Sequence, residues 1–158
     1  KDLVANGLRE VVYITYTDNK KRNKSYLKEV NEILAIIYRK EDLINQEKSR
    51  FDITPEDKFI QMAAMKESKG RLFPAHKHLS QERNTNLTQE SLIILQGSIK
   101  ATFHDLDDSF LGNFILKEGD SVVLFKGGHG FEILEDNTLF YEHKNGPYNG
   151  LERDKEPI

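Results

Sequence analysis

Residues 90–104, ESLIILQ-Gly97-SIKATFH, decide the fold of this chain. Apolar residues fill the first half, and Ile99, Ala101 and Phe103 alternate with other residues in the second half, which is typical of β-strands. Gly97 allows a tight turn between the two halves. The stretch therefore predicts an antiparallel β-hairpin with one apolar face turned toward a core.

Similar short stretches surround this hairpin on both sides. Downstream, residues 110–116, 122–125, 129–134 and 138–144 are strand-like and are separated by turns that contain Gly, Asp or Asn. Upstream, residues 34–38 and 59–66 and the stretch that carries His76 and His78 also predict strands. Short strands joined by such turns indicate a sandwich or a barrel. The expected fold class is all-β, with residues 46–158 forming one barrel domain.

Residues 1–45 are expected to form an N-terminal extension that packs on the outside of this barrel. Residues 11–17 are rich in β-branched and aromatic side chains, which favours a strand. Ser25 can cap a short helix that reaches residue 33. Thr54 and Pro55 are typical of a further helix start, because threonine caps well and proline suits the first helical position.

The composition excludes several classes of protein. The chain has 158 residues with 23 basic and 26 acidic side chains, so its net charge is −3 and no basic excess points to nucleic acid. It has no cysteine, hence neither disulfides nor a thiolate zinc site. No apolar run approaches the roughly 18 residues that cross a bilayer. We expect a soluble, cytoplasmic protein whose partner is a small molecule rather than nucleic acid or a membrane.

Three histidines and a glutamate predict a metal site. His76 and His78 lie two apart on a predicted strand and share a face. Glu90 and His129 each share a face with the apolar residues of their own strand, so both are expected to point into the barrel. A buried carboxylate is costly unless it is paired or bound to metal, and this donor set suits Zn, Fe, Mn, Co or Ni. The alternative is a satisfied polar core.

The remaining polar features are less specific. His104 and His143 fall outside the ligand pattern, and we expect the first to be exposed and the second to be structural. Residues 79–89 form a long polar gap between His78 and Glu90. Long loops beside a site often act as lids or specificity elements, but a plain surface insertion is equally consistent with the sequence.

Residues 70–129 also contain two spaced motifs. They are Gly70-x5-His76-x-His78 with Glu90-x6-Gly97, and Gly119-Asp120 followed by Gly127-Gly128-His129. Together they resemble the two motifs of the cupin superfamily. The resemblance covers residues 59–144 and implies a double-stranded β-helix, also called a jelly roll, with His76, His78, Glu90 and His129 as metal ligands. The sequence departs from the family in its longer first motif and in a second motif that lacks the usual proline.

A narrower resemblance comes from Thr88-Gln89-Glu90, from residues 127–132 and from residues 142–148 with Asp154-Lys155. These segments resemble a small group of bacterial cupins found among genes for cell-surface polysaccharides. They are similar in outline to cupins that isomerise or epimerise nucleotide sugars. The resemblance implies a polysaccharide context without defining a reaction.

Two hypotheses of function follow. The first is a metal-dependent enzyme that acts on a small polar substrate such as a sugar or sugar nucleotide. Its candidate acids and bases are Tyr141, Glu142 and Glu132, and its candidate contacts to phosphate or carboxylate are Arg83, Lys77, Lys126 and Lys144. Ordinary surface packing is the alternative for each of these residues. The second hypothesis is a non-catalytic ligand-binding or regulatory barrel.

We also expect a homodimer. Residues 11–16 and 34–38 are apolar and strand-like, yet they precede the predicted barrel. A jelly roll keeps free sheet edges, and such edges invite pairing with a second chain.

Overall fold

The computed structural model describes residues 13–16 and 30–158, with side chains described from residue 33 onward. The strands are β1 (Tyr13–Tyr16), β2 (Val30–Ile33), β3 (Ala35–Tyr38), β4 (Arg50–Asp52), β5 (Ala63–Met65), β6 (Glu90–Gln96), β7 (Ser98–His104), β8 (Phe110–Lys117), β9 (Ser121–Leu124), β10 (His129–Ile133) and β11 (Leu139–Lys144). The helices are α1 (Lys40–Asn45) and α2 (Leu151–Asp154). The described chain is therefore predominantly β, as predicted.

Two antiparallel sheets form the centre of the structure. One has the strand order β11-β6-β9-β3 and the other has the order β10-β7-β8. Apolar side chains from both sheets meet in one buried cluster, so the sheets pack face to face. Leu92 and Ile94 of β6 contribute from the first sheet, and Ile99 and Ala101 of β7 contribute from the second. Neither sheet closes on itself, so a double-stranded β-helix is not established by this arrangement.

The predicted hairpin of residues 90–104 has the correct strands and the wrong pairing. β6 pairs with β9 and β11, whereas β7 pairs with β8 and β10. Gly97 therefore carries the chain from one sheet to the other instead of closing a two-stranded ladder. Its φ of +77° and its approach to Thr138, which a Cβ would clash with, both require glycine. Each strand keeps its apolar face on the core between the sheets.

A second apolar cluster covers the outer face of the four-stranded sheet. Ile36 and Tyr38 of β3 and Val123 of β9 pack there against Ile53 and Ala64. β3, which was predicted to belong to an extension outside the barrel, is thus a strand of the main sheet, paired with β9. Burial on both faces explains why β3 and β9 are continuous apolar runs rather than alternating ones.

Several local predictions need correction. Residues 66–89 contain no strand, so His76 and His78 lie in irregular chain. Pro74 removes a backbone donor there, and residues 71–88 are all exposed, so no packing stabilises an extended ladder. Thr54 and Pro55 start a turn instead of a helix. Of the helix predicted from Ser25, residues 30–33 form strand β2, and residues 25–29 lie outside the described chain.

In the described part of the chain, no helix has the length and apolar character needed to span a membrane.

The buried face of β6 gives a direct test of this packing. Leu92 is fully buried, whereas Leu95 on the same strand is 44% exposed. Leu92→Ala should lower the free energy of unfolding by about 2–5 kcal/mol, because it leaves a cavity between the sheets. Leu95→Ala, the matched control, should cost less than about 1 kcal/mol. Urea unfolding followed by circular dichroism measures both values, and equal losses would contradict the described core.

Candidate functional site

Glu90 and His129 meet at one end of the two sheets. Glu90 is the first residue of β6 in the four-stranded sheet, and His129 is the first residue of β10 in the three-stranded sheet. Their side chains join the sheets through a contact of 3.1 Å between His129 Nε2 and Glu90 Oε2. Glu90 is only 3% exposed, whereas His129 is partly exposed. The carboxylate of the pair is therefore buried, whereas its imidazole is accessible.

The protonation of this pair follows from its neighbours. The hydrogen bond with His129 holds the pKa of Glu90 below its ordinary value of 4.5, although burial acts in the opposite direction. The charges of His129, Lys155 and Lys144 lower the pKa of Glu90 further. An ionised carboxylate only accepts hydrogen bonds, so Nε2 of His129 must carry the proton and donate it. Nδ1 is then the ring nitrogen that does not contact Glu90.

Lys144 is held in place by its own set of contacts. Its Nζ lies 3.0 Å from Asp154 Oδ2, 3.9 Å from Glu142 Oε1 and 4.0 Å from Glu90 Oε1. The same ammonium stands 4.8 Å from the centre of the Tyr148 ring. The hydrogen bond with Asp154 is the main cause that raises the pKa of Lys144. Lys144 is therefore a fixed positive charge beside Glu90 at neutral pH.

A cavity of about 1030 Å³ opens over the pair. Its walls come from four parts of the chain, which are residues 86–90, residues 102–108, residues 124–131 and residues 153–158, with Glu142 from β11. Gly128 allows the segment of residues 153–158 to pack closely against residues 124–131, because the side chain of Ile158 lies where a Cβ at position 128 would stand. The Glu90–His129 pair thus lies in the wall of a half-open cavity with both polar and apolar lining.

The structure brings together two of the four predicted metal ligands. His76 and His78 lie in exposed irregular chain, with ring centres 5.3 Å apart, and neither lines the cavity. Among the described residues, no group of three or more His, Cys, Asp or Glu side chains is placed to hold a metal ion. Glu90 and His129 alone are too few donors for a divalent metal centre. The four-ligand site therefore stays a prediction.

The three predicted acid–base residues have different positions. Glu142 lines the cavity beside Lys144. Tyr141 is 61% exposed and does not line it. Glu132 forms a cross-strand ion pair with Lys100, also away from the cavity. Of this group, Glu142 is the one that the geometry keeps near the site.

The four predicted anion contacts also divide. Lys126 lines the cavity, and Lys144 stands beside Glu90. Lys77 and Arg83 lie in the exposed segment of residues 71–88, away from the cavity wall. Sequence alone does not show which basic residues the fold brings to a site, because lysine and arginine are common on any solvated surface.

Several cavity residues were not among the predicted site residues. His104, expected to be exposed, is partly buried and lines the cavity, with its Nδ1 3.0 Å from the Asp108 carbonyl oxygen. Arg153 and Lys155 line the cavity from the segment that follows the last strand, β11. Their signal in the sequence is weak, since the alternating charges of residues 152–156 are also typical of a solvated tail.

Comparisons of this chain with protein-family models, curated proteins and solved structures find no match. The function is therefore argued from the geometry of the site.

The depressed pKa of Glu90 predicts a pH dependence of stability. A carboxylate with a lowered pKa in the folded state stabilises the fold above its unfolded value of 4.5. This contribution is lost as the pH falls through the folded pKa. Wild type should therefore exceed Glu90→Gln in free energy of unfolding at pH 7, and the difference should shrink below about pH 4.5. Urea titrations at several pH values measure it, and a difference that grows on acidification would contradict the pairing.

Proposed function

We propose that this chain is a cupin-type β-protein whose cavity binds a small polar substrate, such as a sugar or sugar nucleotide, and acts on it as an isomerase or epimerase. One observation carries the proposal. A buried, ionised Glu90 holds His129 by a 3.1 Å hydrogen bond at the wall of a cavity of about 1030 Å³. A cavity of this size suits a ligand of sugar or nucleotide dimensions. The cupin-like motifs of the sequence agree with this function.

The chemistry that we assign to the pair is proton transfer. Isomerisation or epimerisation next to a carbonyl begins when a base removes a proton from carbon, and a second proton transfer completes it. Glu90 orients the His129 ring and stabilises its protonated form, as a carboxylate does for a catalytic imidazole elsewhere. Nδ1 of His129 is then the proton acceptor.

A non-catalytic binding function is the second candidate. It is favoured by the positions of Tyr141 and Glu132, because two of the three predicted acid–base residues lie away from the cavity. In this case the pair would orient a ligand by hydrogen bonds without exchanging a proton.

Proton exchange distinguishes the two functions. Wild-type protein in D₂O, mixed with aldoses, ketoses and nucleoside-diphosphate keto-sugars, should introduce deuterium next to the carbonyl of one substrate, as measured by NMR. His129→Ala should slow this exchange by about 10²–10⁴-fold and Glu90→Gln by about 10²-fold, because the base or its partner is lost. Glu132→Gln and His143→Ala are the matched controls and should exchange like wild type.

Binding without exchange would favour the non-catalytic function. Exchange that persists in both His129→Ala and Glu90→Gln would show that the pair is not the acid–base group.

As an alternative to the metal-free acid–base pair, we also propose that the chain binds a divalent metal through His76, His78, Glu90 and His129, in which case Glu90 and His129 are ligands and neither is the base. Two features support this idea. The outer edge of β10, which begins with His129, has no partner strand among the described residues. The segment of residues 71–80 is exposed and includes Leu72, Phe73 and Leu79, so it has apolar side chains without a packing surface. Packing of this segment against that edge would bring its histidines toward the pair.

Elemental analysis of protein purified without added metal tests this proposal. Wild type should carry close to one equivalent of metal, and His76→Ala/His78→Ala and His129→Ala should both lose it. His143→Ala is the control and should retain the metal. If the double variant keeps the wild-type content, the two histidines are not ligands, and a wild type without metal would overturn the site.

A homodimer is the assembly that we propose. The free edges of β8, β10 and β11 in the described sheets support it, because unpaired edges favour association. Light scattering at micromolar concentration should give a mass of twice 18.3 kDa, and the mass of a single chain would contradict it.

A further inference from the structure

Residues 153–158 bring two available cations to the cavity. Arg153 and Lys155 both line it and lie two residues apart. Lys155 Nζ is 3.9 Å from Glu90 Oε1, which is longer than a hydrogen bond. Among the described residues, the Arg153 guanidinium has neither a hydrogen bond nor an ion pair. The donors of both side chains are therefore available to a ligand.

Asp154 fixes the backbone between these two cations. Its Oδ2 accepts a hydrogen bond from Lys144 at 3.0 Å, and its Oδ1 accepts one from Thr88 at 3.1 Å. Both carboxylate oxygens thus have hydrogen-bond donors other than Arg153 and Lys155, although the charge of Lys155 also lowers the pKa of Asp154. Asp154 lines the same cavity and is a positioning residue, because it ties the segment to β11 and to Thr88 just before β6.

Four of the six carboxylates that line the cavity, Glu142 among them, have a side-chain hydrogen bond or ion pair. Glu90 accepts from His129, and Asp105 Oδ1 accepts the backbone N–H of Leu106 at 2.7 Å. Asp154 pairs with Lys144, as described above. Asp108 and Glu156 also line the cavity, and their charges oppose an anion. The wall therefore carries three basic side chains, Lys126, Arg153 and Lys155, among six carboxylates, and Lys155 lies next to Glu90.

We propose that Arg153 and Lys155 bind the phosphoryl group of a phosphorylated or nucleotide-linked sugar. The inference rests on the proposed function, since it places this group in the same cavity as the Glu90–His129 pair. A guanidinium matches phosphate oxygens with two parallel hydrogen bonds, and an ammonium adds a point charge. A phosphoryl group has more oxygens and more negative charge than a carboxylate, so it gains more from binding both cations at once. The pair therefore selects phosphate over carboxylate.

Calorimetric titration tests this assignment with four probes, which are glucose 1-phosphate, UDP-glucose, glucuronate and glucose. Wild type should bind the two phosphorylated probes more tightly than glucuronate or glucose. Arg153→Gln and Lys155→Gln should each weaken glucose 1-phosphate binding by about tenfold, and the double variant by about 100-fold. Asp154→Asn should weaken it less, because it loosens the segment and keeps both cations.

Two further variants control for overall charge. Asp108→Asn should strengthen binding of glucose 1-phosphate, because it removes a negative charge from the cavity wall. Lys100→Gln removes a lysine that pairs with Glu132 away from the cavity, so it should bind like wild type. Thermal unfolding of each variant confirms that it is folded before titration.

Three results would overturn the assignment. They are no binding of either phosphorylated probe by wild type, equal affinity of wild type for glucuronate and glucose 1-phosphate, and wild-type affinity in the double variant.

Failure of the proposed function is a separate outcome. Phosphate binding lost in the double variant, without deuterium exchange into any sugar, would retain the Arg153–Lys155 site and reject the catalytic function. Deuterium exchange into unphosphorylated sugars that persists in the double variant would retain the catalytic function and reject the Arg153–Lys155 site.

Discussion

The buried carboxylate of Glu90 is the constraint on which the rest of the site depends. A charge that is only 3% exposed is costly unless hydrogen bonds and opposite charges satisfy it. His129 supplies the hydrogen bond from the facing sheet, and Lys144 and Lys155 supply positive charge. Satisfying this single group therefore fixes the relation between β6, β10, β11 and the segment of residues 151–158. The same contacts create the wall of the cavity.

A second buried carboxylate, that of Asp120 at the start of β9, shows how polar contacts hold the turns between strands. The carboxylate of Asp120 is buried and accepts hydrogen bonds from the Arg39 guanidinium and from the backbone N–H groups of Lys40 and Lys117. It joins the start of α1 to the turn between β8 and β9. Gly119 has a φ of +83° and leaves space for the Lys40 side chain. This cluster anchors the sheet, whereas the Glu90 cluster leaves its histidine accessible.

The strands were predictable from the sequence, but their partners were not. Alternation in residues 98–104 and the apolar runs of residues 90–95 and 122–125 identify β7, β6 and β9, because side-chain period and burial are local properties. The change of sheet at Gly97 is not local, since a glycine turn serves a hairpin and a crossover equally well. The stretch that carries His76 and His78 was predicted as a strand because the residue before Pro74 is biased to extended geometry, and Pro74 with an absence of burial explains why it is irregular in this structure.

The candidate site was predictable to a similar extent. Glu90 and His129 were found because each shares a strand face with apolar residues, and the structure brings their side chains together. Arg153 and Lys155 were not found, because a charged stretch after the last strand has no periodicity that points to a cavity. Their position depends on the hydrogen bonds of the intervening Asp154 with Thr88, 66 residues away, and with Lys144, 10 residues away. Contacts of this kind become visible only in three dimensions.

The most direct measurement of the central claim is the protonation of His129 by ¹H–¹⁵N NMR. The chain has five histidines, so their ring signals can be assigned by single substitutions. The account predicts that Nε2 of His129 carries its proton at neutral pH, that this signal changes in Glu90→Gln, and that UDP-glucose shifts it more than the signal of His143. A His129 ring protonated on Nδ1 alone, or one unaffected by both Glu90→Gln and UDP-glucose, would contradict the account.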